Sequence, residues 1–506
     1  MAPQLRPLPH RQRNKFSSTK SIVSSIEPKR GRKNLETNDS VDRLSDLPDP
    51  VLCHILSFMD TKYAVAASVL STRWKHLNTY VPEIILDDSL TKKEYDGHLG
   101  RPDFGLFGLQ QIMMKDVPYI NKFHLTCDTS FEGLLLRLMV DASVRLNVRE
   151  VYIFMGKRGD FDILPPSFFT CTSLVDLKLS GIRTSLVVPS LVELPNLKVL
   201  HLYGHYINSV EEGSVNRLLR GCRLLEDLSI SCCEVGILEL SFPFLRKFSF
   251  EEDVFFECEK PSVVEFVMDT PNLEVFQYLG HHVAKSLCMK TLAAPHARAE
   301  IKLTCSSHHR DFDDEDHMWK DVWKDTRESI NCLSGFKSLH LSSKALKSMY
   351  PGGYLPSPYE DSVFKTLTEL ELGRCNFKKL PSILECAPLL EVLVMHGHGE
   401  QNYPNYFPEE SLPLSSSEIV PECLAKHLRI VEFKAFAETD EAFELVKYIL
   451  QSGCVMEMLR FSKERFRTRV KDLSDEARLR ISSFPRCSTT CKIVFDEIKM
   501  KQGYGF

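Results

Sequence analysis

Sixteen cysteines and seventeen histidines are the side chains here best suited to nucleophilic or metal chemistry, and their spacing decides whether that chemistry is available. A zinc module needs its ligands in close pairs, and no C-x-x-C pair occurs. Cys487 and Cys491 stand four apart and Cys232 and Cys233 are adjacent, while His281-His282 and His308-His309 have no neighbouring cysteines at zinc-module spacing. These residues read as ordinary core or loop positions. Other cysteines lie inside apolar runs (Cys53, Cys222, Cys386, Cys454), where a free thiol behaves as a small buried hydrophobe. Scattered thiols fit a reduced compartment. Gly352-Gly353 sits in a Pro-rich turn without the Lys-Ser/Thr of a phosphate-cradling loop, and G-x-S-x-G is absent. No catalytic residue, metal ligand or cofactor is expected.

What remains is recognition chemistry, carried by charge and by apolar faces. Lys29, Arg30, Arg32 and Lys33 place four cations in five residues, the pattern of a nuclear-import patch or of a nonspecific nucleic-acid contact, and equally of a solvated charge run. They lie in residues 1–40, a Pro- and Ser-rich stretch with too few aliphatic residues to offset the entropy of ordering, so a disordered basic tail is expected. The net charge of −5 conceals +6 on that tail and −11 on the remainder. An acidic body argues against nucleic acid as the partner. No run reaches the ~18 apolar residues of a membrane helix, and the first thirty residues hold no secretory core. An intracellular protein is expected, in the nucleus, the cytoplasm or both.

The apolar face that stands out is in VDRLSDLPDPVLCHILSFMDTKYAVAASVLSTRWKHLN, residues 41–78. Asp46 or Ser45 can cap a helix with Pro48 in its first turn, where the missing N–H costs nothing. Val51, Leu52, Ile55, Leu56 and Met59 then follow helical spacing, and Phe58 widens the face. Thr61 can cap a second helix carrying Ala64, Val65, Ala67 and Val69. Ser71 can cap a third that sets Trp74 and Leu77 on one side. Three helices in so short a span bury too little of their own surface, so a partner is expected to complete the core.

The order of residue types in this stretch resembles the F-box family: Asp42-Arg43-Leu44-Ser45, Leu47-Pro48-Asp49, Ile55-Leu56-Ser57-Phe58-Met59, Leu70-Ser71-Thr72-Arg73-Trp74 and Leu77 fall at its spacing. The resemblance implies that Leu47, Pro48, Val51, Leu52, Ile55 and Leu56 bind a Skp-type linker protein, which hangs the chain on a cullin scaffold. It also implies that Trp74 supports the module or joins that contact.

Beyond residue 110 a pattern of apolar-x-x-apolar-x-apolar recurs: Ile120/Phe123/Leu125, Val148/Val151/Ile153, Leu174/Leu177/Leu179, Leu197/Leu200/Leu202, Leu225/Leu228/Ile230, Leu245/Phe248/Phe250 and Leu273/Phe276/Tyr278. Successive starts differ by 28, 26, 23, 28, 20 and 28 residues, the period of leucine-rich repeats, in which a short strand and a returning segment make one coil. One coil cannot bury its apolar side alone, so coils must stack into a solenoid. The pattern resumes at Phe336/Leu339/Leu341, Leu367/Leu370/Leu372 and Leu390/Leu393/Met395. In the gap before it, Ile301-Lys302-Leu303 offers one weak strand. The same gap holds the acidic run Asp311 to Asp325 with Trp319 and Trp323, read as a solvated insertion in preference to a contact for a basic partner.

Residues 401–420 read as a Pro-, Ser- and Tyr-rich loop. Ala442, Leu445, Val446, Ile449 and Leu450 then form a helical stripe between strands at Ile430 to Phe433 and Met458 to Phe461, one larger coil closing the array. Together with Ser483-Phe484-Pro485-Arg486-Cys487-Ser488 and Cys491-Lys492-Ile493-Val494-Phe495, this region resembles the FBD domain. Leu164 to Leu179, Leu219 to Ile230 and Leu380 to Met395 resemble the irregular repeats of plant F-box proteins. The expected fold is an α/β solenoid: tail 1–40, three-helix F-box 41–80, leucine-rich repeats 81–400, loop 401–420 and FBD-type cap 421–496. The resemblance implies a non-catalytic subunit of an SCF-type ubiquitin ligase, whose repeats hold a target protein of unknown identity. A leucine-rich scaffold without a ligase role is the alternative.

Overall fold

The computed structural model describes residues 46–88, 102–127, 133–156, 164–181, 186–204, 214–232, 236–252, 265–280, 286–291, 294, 296–303, 332–343, 345–346, 364–373, 380–397, 420–462 and 473–496. The chain divides into two compact units, Met1–Val51 and Leu52–Phe506. Of the first, the described part is a turn at Asp46 and Leu47, then Pro48 and the first residues of α1 (Asp49–Ser57). The basic patch at Lys29, Arg30, Arg32 and Lys33 lies outside the described residues, as do Asp311 to Asp325 and the loop 401–419.

The second unit continues α1 and adds α2 (Thr61–Ala67) and α3 (Thr72–Leu77). The strands that follow are β1 (Glu83–Asp87), β2 (Lys122–Cys127), β3 (Glu150–Met155), β4 (Asp176–Gly181), β5 (Val199–Gly204), β6 (Asp227–Cys232), β7 (Ile237–Ser241), β8 (Lys247–Glu252) and β9 (Glu265–Asp269). Then come β10 (Val275–Gly280), β11 (Ser286–Met289), β12 (Arg298–Leu303), β13 (Ser338–Leu341), β14 (Glu369–Leu372), β15 (Val392–His396), β16 (Ile430–Lys434), β17 (Met458–Ser462) and β18 (Lys492–Phe495). Fifteen of them form one parallel sheet in chain order, and β7, β9 and β11 make a second, three-stranded sheet. This is the expected α/β solenoid.

Every repeat triplet lands in register. Phe123 lies opposite Val151, which is followed across the sheet by Leu177, Leu200, Leu228, Phe248 and Phe276. The third residues form a parallel row from Leu125 through Ile153 and Leu179 to Tyr278. All are buried in one continuous core. At about 1.5–3 kcal/mol for each fully buried Leu, Ile, Val or Phe, these rows supply the main force that stacks the coils. The weak strand at Ile301 is the end of β12, which bridges β10 and β13. There Ala299 takes the central place, opposite Phe276, whose ring lies 6.5 Å from that of Phe336.

Parallel neighbours need a crossover between them. Near the start these crossovers are helical, α4 (Pro102–Met113) and α5 (Gly133–Arg145). After β5 comes the shorter α6 (Ser214–Arg220). In the middle they are extended, as β7, β9 and β11, where Phe266 of β9 packs edge-on against Phe248, Phe250 and Tyr278. Helices return as α7 (Leu380–Glu385), α8 (Glu422–Lys426), α9 (Asp440–Ser452) and α10 (Asp475–Ser482). The stripe expected from Ala442 to Leu450 is buried along α9, whose N-cap Thr439 accepts a hydrogen bond from Ala442 N–H. No helix among the described residues is long and apolar enough to cross a membrane.

Just before several strands, exposed charges alternate in sign from coil to coil. Lys198 meets Glu226 at 2.7 Å, Arg246 meets Glu274 at 2.7 Å, and Arg429 meets Glu457 at 3.2 Å. Such exposed pairs contribute little to stability, and they form only in the observed register.

Candidate interaction surfaces

Helix α1 begins at Asp49, so Pro50 occupies its first turn and Pro48 stands just before it, two or three residues later than a cap at Asp46 or Ser45 would place the start. In the short first unit, Pro48 and Val51 are exposed and Leu47 is half-buried. In the second unit the remaining linker-binding candidates separate by burial. Leu52 (0 % exposed), Leu56 (1 %) and Trp74 (6 %) belong to the chain's own core, with Ala64 and Leu77, while Ile55 is half-exposed. The apolar residues thus divide: some build the module from inside, while Phe58 (76 % exposed), just past α1, and Val69 (81 %) and Leu70 (70 %), between α2 and α3, are open. Phe58 is steadied by the imidazole of His54, edge-on at 4.8 Å.

Ser71 caps α3 as expected, accepting from Trp74 N–H. Thr61 does not cap α2. Asp60 holds that position without a side-chain hydrogen bond, and the buried Thr61 hydroxyl instead accepts the N–H of Ile85 at 2.8 Å. The reason is topological: β1 is the edge of the sheet, and its outer N–H needs a partner. Two more polar contacts fasten the module to the solenoid. Asn78 donates from Nδ2 to Gln111 Oε1 at 3.1 Å, and Lys115 Nζ donates to Asn78 O at 2.8 Å. Burial lowers the Lys115 ammonium to about 8, against the attraction of Glu83. Part of the support expected from a partner therefore comes from the chain's own first coil.

The second surface is the outward side of the large sheet, where strand register aligns Gln277, Glu300, His340 and Glu371 on consecutive strands. Glu300 accepts from Gln277 Nε2 at 2.7 Å, lies 3.1 Å from His340 Nδ1 and pairs with Lys302 at 2.5 Å. Glu371 is held by His396 Nε2 at 2.8 Å and by Lys434 at 2.7 Å, with Arg298 at 3.5 Å. The rings of His340 and His396 stack 5.9 Å apart and nearly parallel, at 3°. Both carboxyls sit well below the usual carboxylate range: Glu300 chiefly through its hydrogen bond with His340, Glu371 chiefly through that with His396, each against the opposing effect of burial.

Ligand atoms of His340, Glu371 and His396 lie within 4.8 Å of one another. Lys434 and Arg298 already neutralise the carboxylate, however, so a metal cation would have to displace them. The arrangement is a preorganised charge network suited to polar recognition. Sequence reasoning missed it because its members lie on strands dozens of residues apart; Gln277, Glu300, His340 and Glu371 share one strand position, but Arg298, Lys302, His396 and Lys434 do not. Among the cysteines, Cys222 and Cys386 are buried as expected, but Cys454 is exposed. It follows the Gly453 that ends α9, beyond the apolar stripe.

Residues 44–77 match the family model of the F-box domain, residues 136–313 that of the leucine-rich repeats of FBD-associated F-box protein At5g56370, and residues 416–461 the FBD model. The chain is similar to FBD-associated F-box protein At4g10400 of Arabidopsis thaliana, at 28% identity over 465 residues that cover 90% of this chain and 100% of the relative. It is likewise similar to F-box/LRR-repeat protein 13 of the same organism, at 28% identity over 473 residues, covering 90% and 97%.

Proposed function

We propose, from the premise that this chain belongs to the plant F-box/FBD/leucine-rich-repeat family, that it is the substrate receptor of an SCF-type ubiquitin ligase. Its F-box docks to a Skp-type linker protein and through it to a cullin. Its repeats hold a target protein, for which the polar strip from Gln277 to Lys434 is a candidate face. The chain supplies no reacting group. It acts by raising the effective concentration of target lysines beside the ubiquitin-charged enzyme.

The observation that carries this reading is the set of exposed apolar side chains on the helical module. Phe58, Val69 and Leu70 are large, apolar and exposed within the 44–77 match, while Leu52, Leu56 and Trp74 build the module from inside. The test follows from that division. Phe58→Asp with Val69→Asp should abolish co-purification with a Skp-type linker while the circular dichroism of the full chain is unchanged, and Leu47→Ala with Pro48→Ala should weaken it. Linker binding unaltered in the Phe58/Val69 variant would overturn the assignment, leaving a leucine-rich scaffold. A charge introduced at Leu52 is the wrong probe, since it would be buried and would unfold the module. The patch Lys29, Arg30, Arg32 and Lys33 is proposed to direct nuclear import; replacing all four with Ala should move a fluorescent fusion out of the nucleus.

A further inference from the structure

Two exposed thiols in the terminal coil face each other. Cys454 follows the end of α9 and leads toward β17, and Cys487 leads from α10 toward β18, 33 residues later in the chain. Their Sγ atoms lie 2.7 Å apart, inside the separation of two sulfurs in ordinary contact and about 0.6 Å beyond a disulfide bond of about 2.05 Å. Neither end is loose. Cys454 N–H donates to Leu424 O at 3.3 Å and Cys487 N–H to Leu450 O at 2.9 Å, while Ser488 Oγ donates to Met456 O at 2.6 Å. The backbone therefore holds the thiols together before any bond forms. Both are open to a small reagent, unlike Cys222, Cys386, Cys423 and Cys491, which are buried.

We propose that Cys454 and Cys487 are a thiol–disulfide pair that clasps the last strand of the solenoid in response to the glutathione ratio. A thiolate of the pair attacks one sulfur of oxidised glutathione, breaking its S–S bond to give a mixed disulfide and one glutathione thiolate. The second protein thiolate attacks the protein sulfur of that mixed disulfide, forming the Cys454–Cys487 bond and expelling the second glutathione thiolate. The two protein sulfurs lose two electrons to the two glutathione sulfurs, and the two thiol protons pass through solvent to the released thiolates. The hydrogen bond with Cys487, ahead of burial and charge, raises the pKa of Cys454, so closure should quicken as pH rises through the alkaline range.

Closure would matter because β18 is a four-residue edge strand paired only with β17 among the described residues. A bond five residues before it should limit its detachment. The experiment uses the full chain, reduced and then equilibrated over a series of reduced-to-oxidised glutathione ratios, quenched in acid, alkylated, digested without reduction and analysed by mass spectrometry. The expected product is a Cys454–Cys487 peptide pair lighter than its sum by two hydrogens, abolished in Cys454→Ser, where Cys487 instead accumulates a glutathione adduct. Separate adducts on both cysteines of the unaltered chain, or linkage to other cysteines in their place, would overturn the proposal. Amide exchange of Lys492–Phe495 should slow about tenfold on oxidation and recover on reduction, with exchange along α9 unchanged as the control for folding. A pair that forms without slowing β18 would refute the clasp.

Discussion

Replacing Thr61 with Val tests how the helical module is joined to the solenoid. The substitution conserves shape and burial but removes the hydroxyl oxygen that accepts Ile85 N–H at 2.8 Å. Thr61 is 3 % exposed, so water cannot take over that role without opening the junction. A buried donor left unsatisfied costs about 1–3 kcal/mol. Expressed as a local opening equilibrium, that is roughly a 5- to 150-fold increase in the population of the detached state. Hydrogen exchange read at Ile85 and along α2 should accelerate by this factor, while β5 and β6, deep in the array, should be unaffected. Thr61→Ser keeps the oxygen and should exchange close to the unaltered rate. If Thr61→Val leaves Ile85 as protected as before, the hydroxyl is not what holds the edge strand, and the junction rests on packing and on the contacts of Asn78 with Gln111 and Lys115.

Four further outcomes are expected. Trp74→Ala should cost about 3–5 kcal/mol in chemical denaturation because the indole is buried, whereas Phe58→Ser should stay within about 0.5 kcal/mol and lose only the linker. In Gly397→Ala the new Cβ would run into the carbonyl oxygen of Ala435, which itself has a positive φ of 55°, so a loss of about 3 kcal/mol is expected between β15 and β16. Glu300 and Glu371 have folded pKa values below their unfolded value, so their contribution is complete above about pH 4.3 and lost as pH falls; Glu371→Gln should flatten the acid limb of a thermal-stability profile. Lys115 is depressed to about 8, so its burial penalty is relieved as pH rises from there toward 10.5, and the unaltered chain should gain on Lys115→Met over that range in melting temperature.

The repeat triplets were legible because a parallel strand with one buried face obeys a strict period, and each apolar residue from Phe123 to Met395 has the burial its place demands. The same spacing holds at Val81, Ile84 and Leu86, the edge strand β1, which could have been found by searching upstream of residue 110. The second sheet was harder. Val235/Leu238/Leu240 and Val263/Phe266/Met268 carry the same spacing as the main coils, but each begins only ten residues before the next triplet, at Leu245 and Leu273, too close to make a coil of its own. Within the F-box, periodicity identified the apolar positions without dividing them between inside and outside. One helix can present Leu52 to its own core and Val51 to solvent, and a hundred degrees of rotation separates neighbours. Thr61 looked like a helix cap because caps and edge-strand partners use the same hydroxyl. The clusters around Glu371 and around Cys454 depend on distances between coils, which no local pattern records.

The alternating charges before the strands imply a rule for how such an array can change length. From Lys198 through Glu226 and Arg246 to Glu274 the sign reverses at each step, and it does so again from Glu391 through Arg429 to Glu457. Excising the coil of Glu226 would bring Lys198 beside Arg246, cation against cation. Excising the coils of Glu226 and Arg246 together would bring Lys198 beside Glu274 and restore the pairing. Within these stretches, gain or loss of sequence should be tolerated by the pair and resisted singly, a parity written into the surface while the apolar core beneath it is indifferent to number.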